Sequence, residues 1–275
     1  MSAGSGQSRA TPEACHLLPT LVWPGTNDAT FCGSVKAVHD WQSLIEHARN
    51  ESVGAVLGRR ILGHPAVAIP AEARRELATW REAVAHKSMR ASGSLLRLVE
   101  RLKRAGIAVL LLKGPAMSQD LYGDLTLRLS SDLDILVSPD DARLARAVLR
   151  SQGFVDIGSA NERILERGTH SESEVMLEHS RTGLIVDLHW QITVGFSRRA
   201  ITAKWLFGRS QTMNLLGREV RVPGVEDRLL TSAVHASRHH WQPLEQRLGM
   251  AIQVARMPES EWSGLCRDAM RFGCL

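Results

Sequence analysis

Two aspartates, Asp132 and Asp134, stand two residues apart inside the apolar run RLSSDLDILV, residues 128–137. A strand period of two puts both carboxylates on one face and Leu133, Ile135 and Val137 on the other. Like charges at that spacing repel, so either solvent screens them or a cation sits between them. A third carboxylate, Asp187, interrupts another apolar run, LIVDLHWQI at residues 184–192, where alternation places it on one face with Ile185 and His189. Three carboxylates brought together on neighbouring strands need compensation, and a divalent cation supplies it. Magnesium takes hard oxygen ligands from one or two carboxylates, waters and substrate phosphates. Two such ions about 3.5–4 Å apart can serve both the attacking and the leaving oxygen of a phosphoryl transfer. On this reading Asp132 and Asp134 bridge two metals and Asp187 holds the catalytic one.

The elements that must position these residues can be read from the flanking pattern. Residues 37–62 and 71–104 carry apolar side chains at helical spacing, separated by Pro65, Pro70 and nearby glycines. After Gly106 the run IAVLLL is short enough for a buried strand, and it ends at Lys113-Gly114-Pro115, which opens a short helix to about Leu121. Ser138-Pro139-Asp140-Asp141 reads as a helix start, with a helix to about Gln152. Residues 174–180 and 184–192, joined by Arg181-Thr182-Gly183, read as a hairpin, and residues 226–257 as helical. The division expected is a flexible leader over 1–32, a helical region over 33–105, a core over 106–195 and a mainly helical region over 196–275. Trp190 and Trp241 are expected in the core.

Composition narrows the function classes. With 275 residues, 44% of them hydrophobic and 23% charged, the chain can bury a sizeable core. No apolar run reaches the roughly 18 residues of a membrane span, and the polar first residues lack the apolar segment of an export signal, so a cytoplasmic protein with no membrane partner is expected. The four cysteines show no C-x-x-C spacing and read as reduced thiols. The net charge of +5 lies entirely in residues 196–275, a distribution equally consistent with an anionic ligand or a mildly basic helical surface. Aromatics at 5%, without a basic-aromatic stripe, argue against nucleic acid.

Five segments together resemble an uncharacterised bacterial nucleotidyltransferase family within the DNA polymerase beta-like superfamily. They are GIAVLLLKGPA (106–116), Tyr122, RLSSDLDILV (128–137), VDLHWQI (186–192) and HASRHHW (235–241). The resemblance spans roughly residues 37–257. It implies an α+β fold, a small mixed β-sheet core flanked by helical regions at both ends. It also implies transfer of a nucleotidyl group from a nucleoside triphosphate to a hydroxyl of a small molecule or peptide, with pyrophosphate release and a two-metal Mg2+ site. Asp132, Asp134 and Asp187 would hold metal. Lys113 and Gly114 would meet the phosphates, Arg128 and Ser131 would flank them, and His189 would orient Asp187 or the acceptor. Lys113-Gly114 stands where the superfamily usually has Gly-Ser, and Gln253 where the family often has Asp.

Each residue also has a structural reading. Lys113 can pair with an Asp, Arg128 with a buried acid, and His189 can be a packed strand residue. His235 and His239 have the i, i+4 spacing of zinc ligands but no following Glu and no evident third ligand. A D-x-D also serves metal-dependent transferases of nucleotide-sugars, though these usually have alternating strands and helices before it, where this chain is helical. A non-catalytic nucleotide-binding module would be marked by a missing carboxylate, and all three are present.

Overall fold

The computed structural model describes residues 11–157, 173–193 and 200–274. Four short helices open it: α1 (Pro12–Val22), α2 (Asp28–Lys36), α3 (Trp41–Asn50) and α4 (Gly54–Gly63). The first three are capped by side chains of Thr11, Asn27 and Asp40, each accepting a backbone N–H of the first turn. Residues 12–32 therefore depart from the expected flexible leader. Leu18, Leu21 and Phe31 are fully buried, and this apolar spacing outweighs the polar residues around it. The helical stretch expected over 37–62 is two helices, because Ser52 adopts a left-handed conformation (φ 59°) between them.

The 34-residue α5 (Ala71–Arg104) joins two cores. Its first half puts Ala73 and Leu77 against α1–α4, in a cluster that also takes in Leu121, Leu127, Leu248 and Ile252. Its second half puts Leu95, Leu98, Val99 and Leu102 against the central sheet. Then follow β1 (Leu110–Leu111), α6 (Pro115–Tyr122), β2 (Asp132–Leu136), α7 (Ala142–Ser151), β3 (Phe154–Ile157), β4 (Glu174–His179) and β5 (Ile185–His189). The sheet order is β1-β2-β5-β4-β3. Only β2 and β5 run parallel; the other neighbours are antiparallel, so the sheet is mixed.

Alternation divides the two sheet faces. Leu133, Ile135, Val175, Leu177, Val186 and Leu188 point into the core beneath α5 and α7. The opposite face is covered at its β1–β2 end, where Leu110, Leu112 and Leu136 meet Leu206, Leu230, Val234 and Phe272. Those residues come from α8 (Ala203–Gly208), α9 (Val225–Arg238) and α11 (Trp262–Phe272). After β5 there is more strand than expected, with β6 (Gln191–Thr193) paired to β7 (Ala200–Thr202), and β8 (Gln211–Leu215) paired to β9 (Arg218–Val222) within the expected helical C-terminal region.

The helix expected over 226–257 is interrupted. His240 and Trp241 take left-handed conformations (φ 53° and 61°), Pro243 follows, and α10 (Leu244–Arg256) starts afresh. This turn swings Trp241 outward to 44% exposure, correcting its assignment to the core. Trp190 does pack against the sheet core. Among the described residues no helix is long and apolar enough to cross a membrane.

Candidate active site

The parallel register sets Asp134 of β2 directly beside Asp187 of β5, and the same register pairs Leu136 with His189 and Asp132 with Ile185. All of these except the core-facing positions between them lie on the face opposite α5 and α7. Asp134, Asp187 and His189 gather ligand atoms within 4.8 Å of one another. His189 Nε2 is 3.3 Å from both Asp134 Oδ1 and Asp187 Oδ2, and its Nδ1 is 2.9 Å from Glu174 Oε2. Asp132 stays one row away on the same face, half-buried, accepting a hydrogen bond from the Ser131 hydroxyl at 3.1 Å. Ser131 itself is exposed.

Lys113 reaches this cluster from the turn between β1 and α6. The Leu112 N–H donates to the Asp134 carbonyl, which fastens the turn to β2. Gly114 then takes φ 66° and ψ −138°, a region that L-residues avoid, and turns the chain into α6. The result brings Lys113 Nζ to 2.7 Å from Asp134 Oδ1 and 2.9 Å from His235 Nδ1. Since Lys113 donates to Nδ1, the His235 proton belongs on Nε2, which faces the Gln246 amide at 3.4 Å. Gln246 Oε1 is buried without a partner, and turning this amide end for end gives it that proton.

Charge is distributed unevenly through the cluster. Burial works against the Asp134 carboxylate, but Lys113 and His189 hold its carboxyl far below the usual range. Asp187 is raised, chiefly by burial, with the His189 hydrogen bond opposing. His189 is raised well above an ordinary imidazole despite its burial, through hydrogen bonds with Asp134, Asp187 and Glu174. His235 is pushed down to about 3, first by burial and then by the Lys113 ammonium, so it stays neutral.

The donor set suits a divalent cation. Asp187 Oδ1 is buried and has no hydrogen-bond partner among the described residues, so it is available to a cation or a water. The imidazole is oriented through Nδ1 by Glu174, so that its Nε2 faces both aspartates.

Other expected residues fall differently. Arg128 Nε donates to Glu245 Oε1 at 2.6 Å, with both side chains nearly buried. The His235 and His239 rings lie 4.5 Å apart between centroids, tilted by 50°, and His235 Nδ1 is engaged by Lys113, which accounts for their spacing without a metal. Gln253 donates to the Ser232 hydroxyl at 3.3 Å and lines a small cavity with Lys113, His235 and Gln246. Glu174, Gln246 and Glu245 were missed from sequence. For Glu174 a signal existed, because continuing the hairpin register from Asp187 pairs it with His189. A larger cavity of about 400 Å3, rimmed by Arg97, Arg101 and Arg218, lies at the opposite end of the strands and contains none of the carboxylates.

A mixed sheet with clustered carboxylates on one face, held between helical layers, defines an α+β protein with a candidate metal-dependent transfer site. Residues 38–275 match the family described as uncharacterised nucleotidyltransferase, and the chain belongs to that family. Its enzyme class is therefore nucleotidyltransferase. No curated protein matches it. Among solved structures it is similar to ANT(2'')-Ia in complex with adenylyl-2''-tobramycin, at 12% identity and a TM-score of 0.48, covering 66% of this chain and 96% of that one. The solution structure of ANT(2'')-Ia gives 12% identity and 0.47, covering 67% and 92%. An antigenic nucleotidyltransferase-like protein from Paracoccidioides brasiliensis gives 13% and 0.39, covering 66% and 88%.

Proposed function

We propose that the protein moves a nucleotidyl group from a nucleoside triphosphate to a hydroxyl of a small molecule or peptide, with Mg2+ bound at Asp134, Asp187 and Asp132. The observation that carries this reading is the juxtaposition of Asp134 and Asp187 across the parallel strands, with Lys113 beside them. When bound, the metal supplies charge neutralisation of the phosphates and activation of the attacking oxygen.

The chain's own residues do the rest. Lys113, on the turn opened by Gly114, meets the β- and γ-phosphates as a point charge and leaves Asp134 free for the cation. His235, neutral and held by Gln246, keeps the Lys113 ammonium at the mouth of the site. His189, oriented by Glu174, fixes the side chain of Asp187. The acceptor oxygen attacks the α-phosphorus and forms the new P–O bond. The α–β bridging bond breaks, pyrophosphate departs with the electron pair, and the hydroxyl proton leaves to solvent water. Positioning and charge stabilisation carry most of such a transfer.

The test is metal-dependent binding of each nucleoside triphosphate and of nucleotide-sugars, measured by calorimetry for the wild type and for Asp134→Asn and Asp187→Asn. Triphosphate binding that needs Mg2+ and is lost in both variants is expected. Equal binding by all three proteins sinks the assignment, and preference for nucleotide-sugars replaces the donor.

A further inference from the structure

We propose that the β3–β4 half of the sheet face that the described residues leave uncovered is the acceptor platform, and that the acceptor carries its hydroxyl on an apolar body bearing no negative charge. This rests on the transfer reading above. Two rows of side chains run across the strands on that face. One passes from Asp134 through Asp187 and Met176 to Ile157, and the other from Asp132 through Ile185 and Glu178 to Val155. Their neighbours one position along each strand, Leu133, Val186 and Leu177, turn into the core beneath α5 and α7.

Beyond the carboxylates these rows are apolar where a solvated sheet face would be polar. Val155 is 51% and Met176 40% exposed, and Ile157 and Ile185 are only partly buried and belong to none of the three cores. With strands about 5 Å apart, Met176 lies one step from Asp187 and Ile157 two steps, about 10 Å. A six-membered ring bearing a hydroxyl at Asp187 reaches Met176, about 5 Å away, and a longer alkyl or aryl substituent on it reaches Ile157.

Geometry also selects the occupant. In-line displacement keeps the attacking and leaving oxygens on opposite sides of the phosphorus. Lys113 comes from the β1 side, where the departing pyrophosphate is neutralised, so the attacking hydroxyl arrives from β4. Neither row contains Lys or Arg, while Asp132, Asp134, Asp187 and Glu178 all do lie in them, so the face repels an anion.

Methionine-methyl NMR of the metal-free, nucleotide-free protein tests this, with benzyl alcohol as the neutral probe and benzoate as its anionic counterpart. The Met176 signal, assigned through Met176→Leu, should shift saturably with benzyl alcohol and at least tenfold more weakly with benzoate. Met89 and Met270, at 43% and 58% exposure, serve as internal controls and should not respond. With isoleucine methyls labelled as well, Met176→Glu should weaken the response of the neighbouring Ile185 methyl at least tenfold while leaving the rest of the spectrum in place. No shift at Met176, equal shifts at Met270, or equal response to benzoate overturns the platform. Since neither metal nor nucleotide is present, that failure is separate from failure of Mg2+-dependent triphosphate binding, which would overturn the transfer reading itself.

Discussion

Replacing Lys113 by Met removes the cation that Asp134 Oδ1 meets at 2.7 Å while keeping the length and apolar stem of the side chain. Asp134 is 4% exposed, so its carboxylate is left in a poorly solvated place with only the more distant His189 opposite it. Breaking one side of a buried pair costs about 3–5 kcal/mol, and with His189 still present we take the lower end, about 3 kcal/mol. For a chain of this size that lowers Tm by about 6–12 °C. An exposed pair is worth at most about 1 kcal/mol, so Arg104→Met, which removes the exposed i, i+4 bridge to Glu100, is the control and should move Tm by under about 4 °C. Thermal unfolding would be followed by circular dichroism in the presence of a chelator, then with Mg2+. Because Lys113 and a divalent ion compete for the same oxygen, added Mg2+ should raise Tm more in Lys113→Met than in the wild type. Adding Asp134→Asn should recover part of the loss, giving a coupling between the two sites. A Lys113→Met protein that melts with the Arg104→Met control, or that responds to Mg2+ less than the wild type, would refute the reasoning.

Three further outcomes are expected. The folded value of His235 is near 3 against 6.5 unfolded, so the folded state disfavours its protonation and stability falls with acid between those values by about 1.4 kcal/mol per pH unit. His235→Asn, which keeps an acceptor for Lys113, should flatten that part of a Tm–pH profile. Arg128→Met should lower stability by about 3–5 kcal/mol by stranding Glu245, measured by urea unfolding, while the folded protein keeps its nucleotide affinity. Gly114→Ala meets nothing closer than 3.7 Å, so its cost is backbone strain alone, about 1–3 kcal/mol, visible as a lowered Tm.

The parts of this architecture that were legible are those where periodicity and burial agree. Alternation in 184–192 put Asp187 and His189 on one face, and the hairpin followed from the Thr182-Gly183 turn. The long apolar stripe of α5 was equally plain. What escaped was tertiary. No local pattern says that β2 pairs with β5 in parallel, so the meeting of Asp134 with Asp187 was an inference from chemistry and not from spacing. Lys113 and Arg128 each had two readings because a cation's partner can lie more than a hundred residues away, as Glu245 does from Arg128. Residues 12–32 were grouped with the polar segment before them, and Pro19, Pro24 and Gly25 interrupt their apolar pattern, which concealed helices that need α3 and α4 to pack against. Trp241 was misplaced because the left-handed turn that exposes it leaves little mark on composition.

The parallel β2–β5 pair has a kinetic consequence. An antiparallel neighbour can zip outward from a tight turn, but these two strands can meet only after the intervening chain, with α7, β3 and β4, has looped back. In the unfolded ensemble Asp134 and Asp187 are therefore remote, and a cation finds no preformed pair of carboxylates on which to nucleate folding. The carboxylate cluster forms only when β5 docks on β2, and there Lys113 and His189 offset the repulsion between the two carboxylates. A chain in which the two carboxylates have met has, by that fact, already paired β2 with β5.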